Sequence, residues 1–267
     1  MRLRQLLPNI AFSASILVLP AATWAQDDEA AKDVAQANNA LAAATALNFH
    51  DYYIGEQTET GEAANQLWAR LAQPLSLGST SWLMRISLPL NTYPVAPDFE
   101  RQTGLGDLNI LAAWLVDTGR PGLTFGIGPQ ITMDTATEDA TGSGKWSAGL
   151  ANYVFFAASP KLQYFYLLTW QASFAGDDAR EDVNVVAFQP GLVYQLPHGF
   201  HLRSTAIWTW NLENDTYSVP LGFGAGKVVR TEKRVYNMFV EPQWSVVDDG
   251  AGWPKWQIFL GFNTTFK

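Results

Sequence analysis

From Lys255 to the end of the chain, alternate residues read Trp256, Ile258, Leu260, Phe262, Thr264 and Phe266, interleaved with Gln257, Phe259, Gly261, Asn263, Thr265 and Lys267. A period of two marks a strand with one face in an apolar medium and the other in a wetter one. Such a strand needs neighbours for its backbone N–H and C=O groups. The rhythm recurs upstream in segments close to the ~9–11 residues of a tilted membrane-crossing strand. It predicts strands over Ala46 to Gly55, Asn65 to Leu77, Ser81 to Asn91, Leu105 to Asp117, Gly122 to Met133 and Lys145 to Ala157. Lys161 to Ala175, Val183 to Leu196, Phe200 to Leu212, Tyr217 to Arg230, Val235 to Val247 and Lys255 to Phe266 complete about twelve.

The links between these segments alternate in length. Tight turns fall at residues 78–80, 118–121, 158–160, 197–199 and 231–234, and longer polar links at 56–64, 92–104, 134–144, 176–182, 213–216 and 248–254. Short turns on one side against longer loops on the other is the arrangement of an outer-membrane barrel. The fold class expected is therefore all-β, a transmembrane antiparallel up-and-down β-barrel of about 12 strands, and a soluble sandwich gives no reason for the alternation.

Parity assigns each strand an outside and an inside. Outward fall Leu108, Ile110, Ala112 and Trp114, then Phe125 and Ile127, Tyr164 to Trp170 at every second residue, Trp208 and Trp210, and Met238, Val240 and Trp244. Inward fall Arg70, Arg85, Asp107, Asn109, Gln130, Gln171, Gln189, Arg203, Glu241 and Gln243, together with Asn211, Gln257 and Asn263. These are the lumen-lining candidates. Lys227 shares parity with the outward Leu221 and Phe223, either near the interface, where the cost is small, or turned inward by a bulge among Gly222, Gly224 and Gly226.

Composition supports the membrane reading. The chain of 267 residues is 13% aromatic but only 16% charged, below the roughly 25% charged residues of soluble domains. It has no cysteine and three histidines, so neither a thiolate zinc site nor a histidine metal cluster is expected, and no cofactor is implied. A formal charge of −8 argues against a nucleic-acid partner. At the N-terminus Arg2 and Arg4 precede an apolar run from Ile10 to Leu19 and the small residues Thr23 and Ala25. This predicts a signal peptide over 1–25, a polar periplasmic arm over 26–45, read as solvated, and the barrel over 46–267. The expected partners are outer-membrane lipid, lipopolysaccharide and a small solute.

Several motifs resemble one family. Leu105-Gly106-Asp107-Leu108-Asn109, Gly126-Ile127-Gly128-Pro129, Gly142 to Gly149 and Val219 to Lys227 are similar, in this order, to bacterial outer-membrane proteins labelled meta-pathway (MetA) phenol-degradation proteins, some of which carry the label neuromedin U. The resemblance implies a barrel that passes or handles small hydrophobic or aromatic compounds. It brings no agreed catalytic or binding residue.

The remaining chemistry is sparse. Gly142-Ser143-Gly144-Lys145 lacks the spacing, strand and helix of a phosphate loop and reads as a flexible outside loop. His50, His198 and His201 are the available imidazoles; the placement of the latter two on the periplasmic side does not suit a hydrolase of outer-leaflet lipid, and an embedded lipid-modifying enzyme ranks third, behind a channel and a structural barrel. The expectation is a channel without covalent chemistry. Its rival is a structural barrel whose lumen is plugged by salt bridges among residues such as Arg85 and Asp107.

Overall fold

The computed structural model describes residues 37–39 and 42–266. The expected signal peptide and the first part of the arm lie outside the described residues.

Fifteen strand segments form one antiparallel sheet. They are β1 (Ala46–Gln57), β2 (Ala64–Leu77), β3 (Thr80–Val95), β4 (Glu100–Leu105), β5 (Leu108–Val116), β6 (Leu123–Met133), β7 (Lys145–Ala157) and β8 (Leu162–Gly176). The rest are β9 (Asn184–Gln195), β10 (Phe200–Ser204), β11 (Trp208–Asn211), β12 (Thr216–Gly222), β13 (Gly224–Arg230), β14 (Arg234–Asp249) and β15 (Pro254–Phe266). Three wall strands are each made of two segments: β4 and β5 both pair with β3, β10 and β11 with β9, and β12 and β13 with β14. The wall therefore has twelve strands. It closes where β1 meets β15, with Ala46 opposite Thr265 and Ile54 opposite Gln257, so no edge is left unpaired in a medium without water.

Alternation works as expected because each wall strand has two different solvents. Phe49, Leu71, Trp114, Ile127, Leu168, Met238, Leu260 and Phe262 are exposed on the outside, whereas Tyr52, Leu83, Leu111, Phe155, Gln163, Glu241 and Phe259 are buried inside. Aromatic pairs mark both rims: Trp82 lies opposite Trp114 near the short turns, and Trp244 opposite Trp256 near the long ones. Indole and phenol rings are favoured at the headgroup level because each has an apolar body and a polar edge. Lys227 keeps its outward parity, with Nζ 4.5 Å from the centroid of the exposed Phe200 ring. The glycines around it do not turn it inward.

One long link is more ordered than its polarity suggests. The segment from 92 to 104 is mostly a hairpin, with Thr92 opposite Thr103 and Val95 opposite Glu100, and the two threonine hydroxyls are 2.9 Å apart. β-branched and aromatic residues there continue the ladder above the membrane band.

Candidate functional site

The barrel encloses a cavity of about 600 Å³, bordered by inward side chains of β1–β3, β5–β10, β14 and β15, with none from β12 or β13. Two non-wall segments close in on it. At the short-turn end, Ala37, Asn38, Asn39, Ala42 and Ala44 border the cavity. Asn237 Nδ2 donates to the Ala37 carbonyl and to Asn38 Oδ1, both at 3.0 Å, and Asn39 Nδ2 donates to Thr124 Oγ1 at 3.3 Å. These described arm residues are thus bound to the inner wall rather than solvated. Asn38 Oδ1 and Asn39 Nδ2 find partners on β14 and β6, while among the described residues Asn38 Nδ2 and Asn237 Oδ1 are buried without one, so the fit between arm and wall is satisfied only in part.

At the opposite end the link between β6 and β7 folds inward, and Ala140, Thr141, Gly142 and Ser143 border the same cavity. Thr141 is buried within a single 3-10 turn, Asp139–Thr141. Its hydroxyl donates to the Leu105 carbonyl at 2.9 Å, and its own carbonyl accepts from Asn91 Nδ2 at 2.9 Å. Asp107 is the hub. Its Oδ1 accepts the N–H groups of Thr135 and Ala136, both at 3.2 Å, and its Oδ2 accepts the Ser143 N–H at 2.7 Å and hydroxyl at 2.8 Å. The motif expected to be a flexible loop is therefore pinned. Asp107 does not pair with Arg85, which departs from the salt-bridge plug.

Where β7 starts, the buried Lys145 reaches the exposed Asp182 at 2.8 Å, and Ser173 Oγ donates to the same carboxylate at 3.0 Å. The hydrogen bond from Lys145, then that from Ser173, holds the Asp182 carboxyl below its ordinary range. A depressed carboxyl keeps its contact above the unfolded value and loses it as pH falls through the lower folded value. Hydrogen exchange of the 177–183 link is accordingly expected to stay slow at pH 5 and to quicken only at pH values below the ordinary aspartate range.

The wall of the cavity holds most of the expected lumen residues. Arg70, Arg85, Asp107, Asn109, Gln130, Gln171, Gln189 and Arg203 all border it. The amides form short bridges along the wall: Asn109 Nδ2 donates to Thr132 Oγ1 at 2.9 Å, Thr132 Oγ1 to Gln171 Oε1 at 2.9 Å, Gln130 Nε2 to the Trp170 carbonyl at 3.2 Å and Gln189 Nε2 to the Thr205 carbonyl at 2.8 Å. Glu241 and Gln243 are fully buried behind the cavity surface.

Their role follows from a break in the wall. Between β10 and β11 the chain leaves the ladder, and the Glu241 carboxylate fills the gap. It accepts the Thr205 N–H at 2.7 Å, the Thr205 hydroxyl at 2.7 Å, Arg203 Nε at 2.8 Å and Gln243 Nε2 at 3.1 Å. Gln257 Nε2 extends the network to Gln243 Oε1 at 2.7 Å. Arg203 and Glu241 sit on opposite flanks of Gly224, which faces Arg203 in the register and whose absent Cβ would lie 2.7 Å from the Glu241 Cβ. A side chain there would block the pair.

Farther around, His50 Nε2 is 2.8 Å from Asn263 Oδ1, and His50 Nδ1 contacts Arg70 Nη1. Guanidinium can only donate, so Nδ1 accepts and the proton sits on Nε2. Both imidazole nitrogens are thereby used. Tyr52 stacks on Phe259 with centroids 4.3 Å apart, and Arg203 lies 3.4 Å above the Phe239 ring. Phe239 in turn covers Gly261, where a Cβ would meet the ring at 2.0 Å. On the other side Leu83, Leu111, Tyr153 and Phe155 form a buried cluster with Phe165 and Leu167 packed against it. Of the inward phenylalanines, Phe165, Phe239 and Phe259 border the cavity while Phe155 only packs the interior. Asn263, another expected lumen residue, borders the cavity, as do His50, Tyr52 and Trp68; parity points these last three inward, but nothing in the local sequence singles them out.

No family model matches the chain, and no curated protein matches it. Among solved structures, the COG4313 outer membrane channel from Pseudomonas putida F1 is 14% identical, with 85% of this chain and 97% of that one covered at a TM-score of 0.64. The NanC porin is 10% identical, with 84% and 100% covered at a TM-score of 0.53. The architecture is thus that of the bacterial outer-membrane barrels, and a closed wall with an apolar outside and a polar inside is built for that membrane.

Proposed function

We propose that this barrel is a non-catalytic outer-membrane channel for small solutes that have an apolar or aromatic part. The observation that carries the reading is the continuous cavity between the arm and the inward loop, with polar side chains and aromatic faces mixed along it. A barrel stabilised only as a scaffold has no need of arginines facing open space. Likeness in fold to a channel and a porin and the resemblance of the sequence motifs to phenol-degradation barrels add support.

The test is planar-bilayer recording on the mature chain. Small, anion-preferring conductance is expected, because Arg70 and Arg85 face the path while Glu241 is neutralised by Arg203. Asn237→Ala with Asn39→Ala removes side-chain contacts between arm and wall, and conductance should rise at least twofold as the arm leaves. An intact barrel that conducts in neither form would sink the channel reading and favour the plugged scaffold.

A further inference from the structure

The geometry points to a binding site for a small organic anion at the waist of the lumen, between Arg70 and Arg85, with an aryl carboxylate as the ligand class. This deepens the channel reading and rests on it. The register places Arg70 opposite Ser87 and Arg85 opposite Ala72. The two guanidinium groups therefore leave adjacent strands on the same inner face as diagonal neighbours, roughly 7 Å apart at their bases.

Among the described residues neither has an acid partner. Of the described carboxylates nearest the lumen, Glu241 is consumed by Arg203, Thr205 and Gln243, and Asp107 by the loop it pins. Arg70 leans on a neutral acceptor, His50 Nδ1, and over the Trp68 ring at 4.7 Å. Arg85 meets no carboxylate among the described residues, and its Nε is buried without a hydrogen-bond partner. Ser87 Oγ, in the same strand and on the same face, is also buried without one. Two like charges and two unused polar groups beside a cavity form an incomplete arrangement, and an anion would complete it.

The shape of the surroundings selects the rest of the ligand. Leu111 lies opposite Arg85 in the register, and it belongs to the buried cluster with Leu83 and Tyr153 against which Phe165 packs. On the flank beside Arg70, β1 and β15 present the stacked Tyr52 and Phe259. A carboxylate can accept from guanidinium groups in a fork while a planar apolar body rests against these faces. A cation would be repelled, and a neutral alcohol would leave the guanidinium groups without a counter-charge. A cavity of about 600 Å³ is within the range of small-ligand sites.

Titration calorimetry on the folded mature chain in detergent, with sodium benzoate as the probe and benzyl alcohol, benzylamine and acetate as comparisons, tests the proposal. Benzoate should bind more tightly than acetate, which lacks the ring, and about tenfold or more tightly than benzyl alcohol and benzylamine, a margin one well-placed ionic contact supplies. Arg85→Gln should remove that margin, whereas Arg85→Lys should keep part of it. Equal affinities in the wild-type barrel, or an unchanged benzoate preference in a folded Arg85→Gln barrel, would overturn the site. The wild-type comparison needs no variant. The two readings fail separately: benzoate bound by a barrel that does not conduct keeps the site and loses the channel, and conductance without benzoate preference does the reverse.

Discussion

Glu241→Ala is expected to lower barrel stability by about 3–5 kcal/mol, the usual result of leaving one member of a buried ion pair without its partner. The carboxylate is fully buried and Arg203 nearly so, so water cannot readily replace what is lost. The same change also orphans the Thr205 N–H and hydroxyl at the point where the wall ladder is interrupted. Arg203→Ala should cost less, since Thr205 and Gln243 still donate to the carboxylate. Replacing both by apolar residues of similar volume should recover part of the loss, because the pair contributes little net once its desolvation is counted. Urea unfolding from lipid vesicles, with the wild type and the three variants compared, measures this. A single-mutant loss under about 1 kcal/mol would mean that the gap is held by packing alone.

This division of labour among the arginines separates what alternation encodes from what it does not. A residue's side of the wall depends on parity, and parity is imposed on every strand by lipid outside and water inside; Arg70, Arg85, Arg203 and Glu241 are all legible as inward for that reason. Their partners depend on strand stagger, which the alternation leaves open. Arg203 and Glu241 meet across an intervening strand because Gly224 stands between them, so the Gly222, Gly224, Gly226 row, legible only as a source of bulges, is the signal that could have located the pair. The wall breaks at 205–207 and at Phe223 were hidden for a related reason. Leu202 and Trp208 share one parity across the first, and Leu221 and Ala225 share one across the second, so the rhythm runs on while the hydrogen bonds stop.

The arm failed differently. Its Ala, Asn and Gln residues suit solvent, yet Asn38 Oδ1 and Asn39 Nδ2 also find hydrogen-bond partners on the polar inner wall. Composition cannot tell water from a wet lumen. Nor could it tell that the 134–144 link would fold inward, since the residue that draws it in, Asp107, belongs to another wall strand, at the break between β4 and β5.

Asp107→Ala should release that loop. Four contacts converge on one carboxylate, two from Ser143 at 2.7 and 2.8 Å and two longer ones from the Thr135 and Ala136 amides. Bonds to a charged acceptor are worth about 1.5–3 kcal/mol each when buried, and solvent at the mouth reduces their joint effect to about 2 kcal/mol for holding the loop in. Hydrogen exchange at the Thr135, Ala136 and Ser143 amides is therefore expected to speed up roughly thirtyfold, the factor that corresponds to about 2 kcal/mol of local opening. Single-channel traces should show longer or larger open events if the inward loop sets the outer constriction. Asp107→Asn keeps one oxygen but turns a donor toward either Ser143 or the paired amides, so its effect should be intermediate. Ser143→Ala, which removes one hydroxyl bond and leaves the amide, should move exchange least. Exchange that stays slow in Asp107→Ala would show that Thr141, through Leu105 and Asn91, is sufficient to keep the loop inside the barrel.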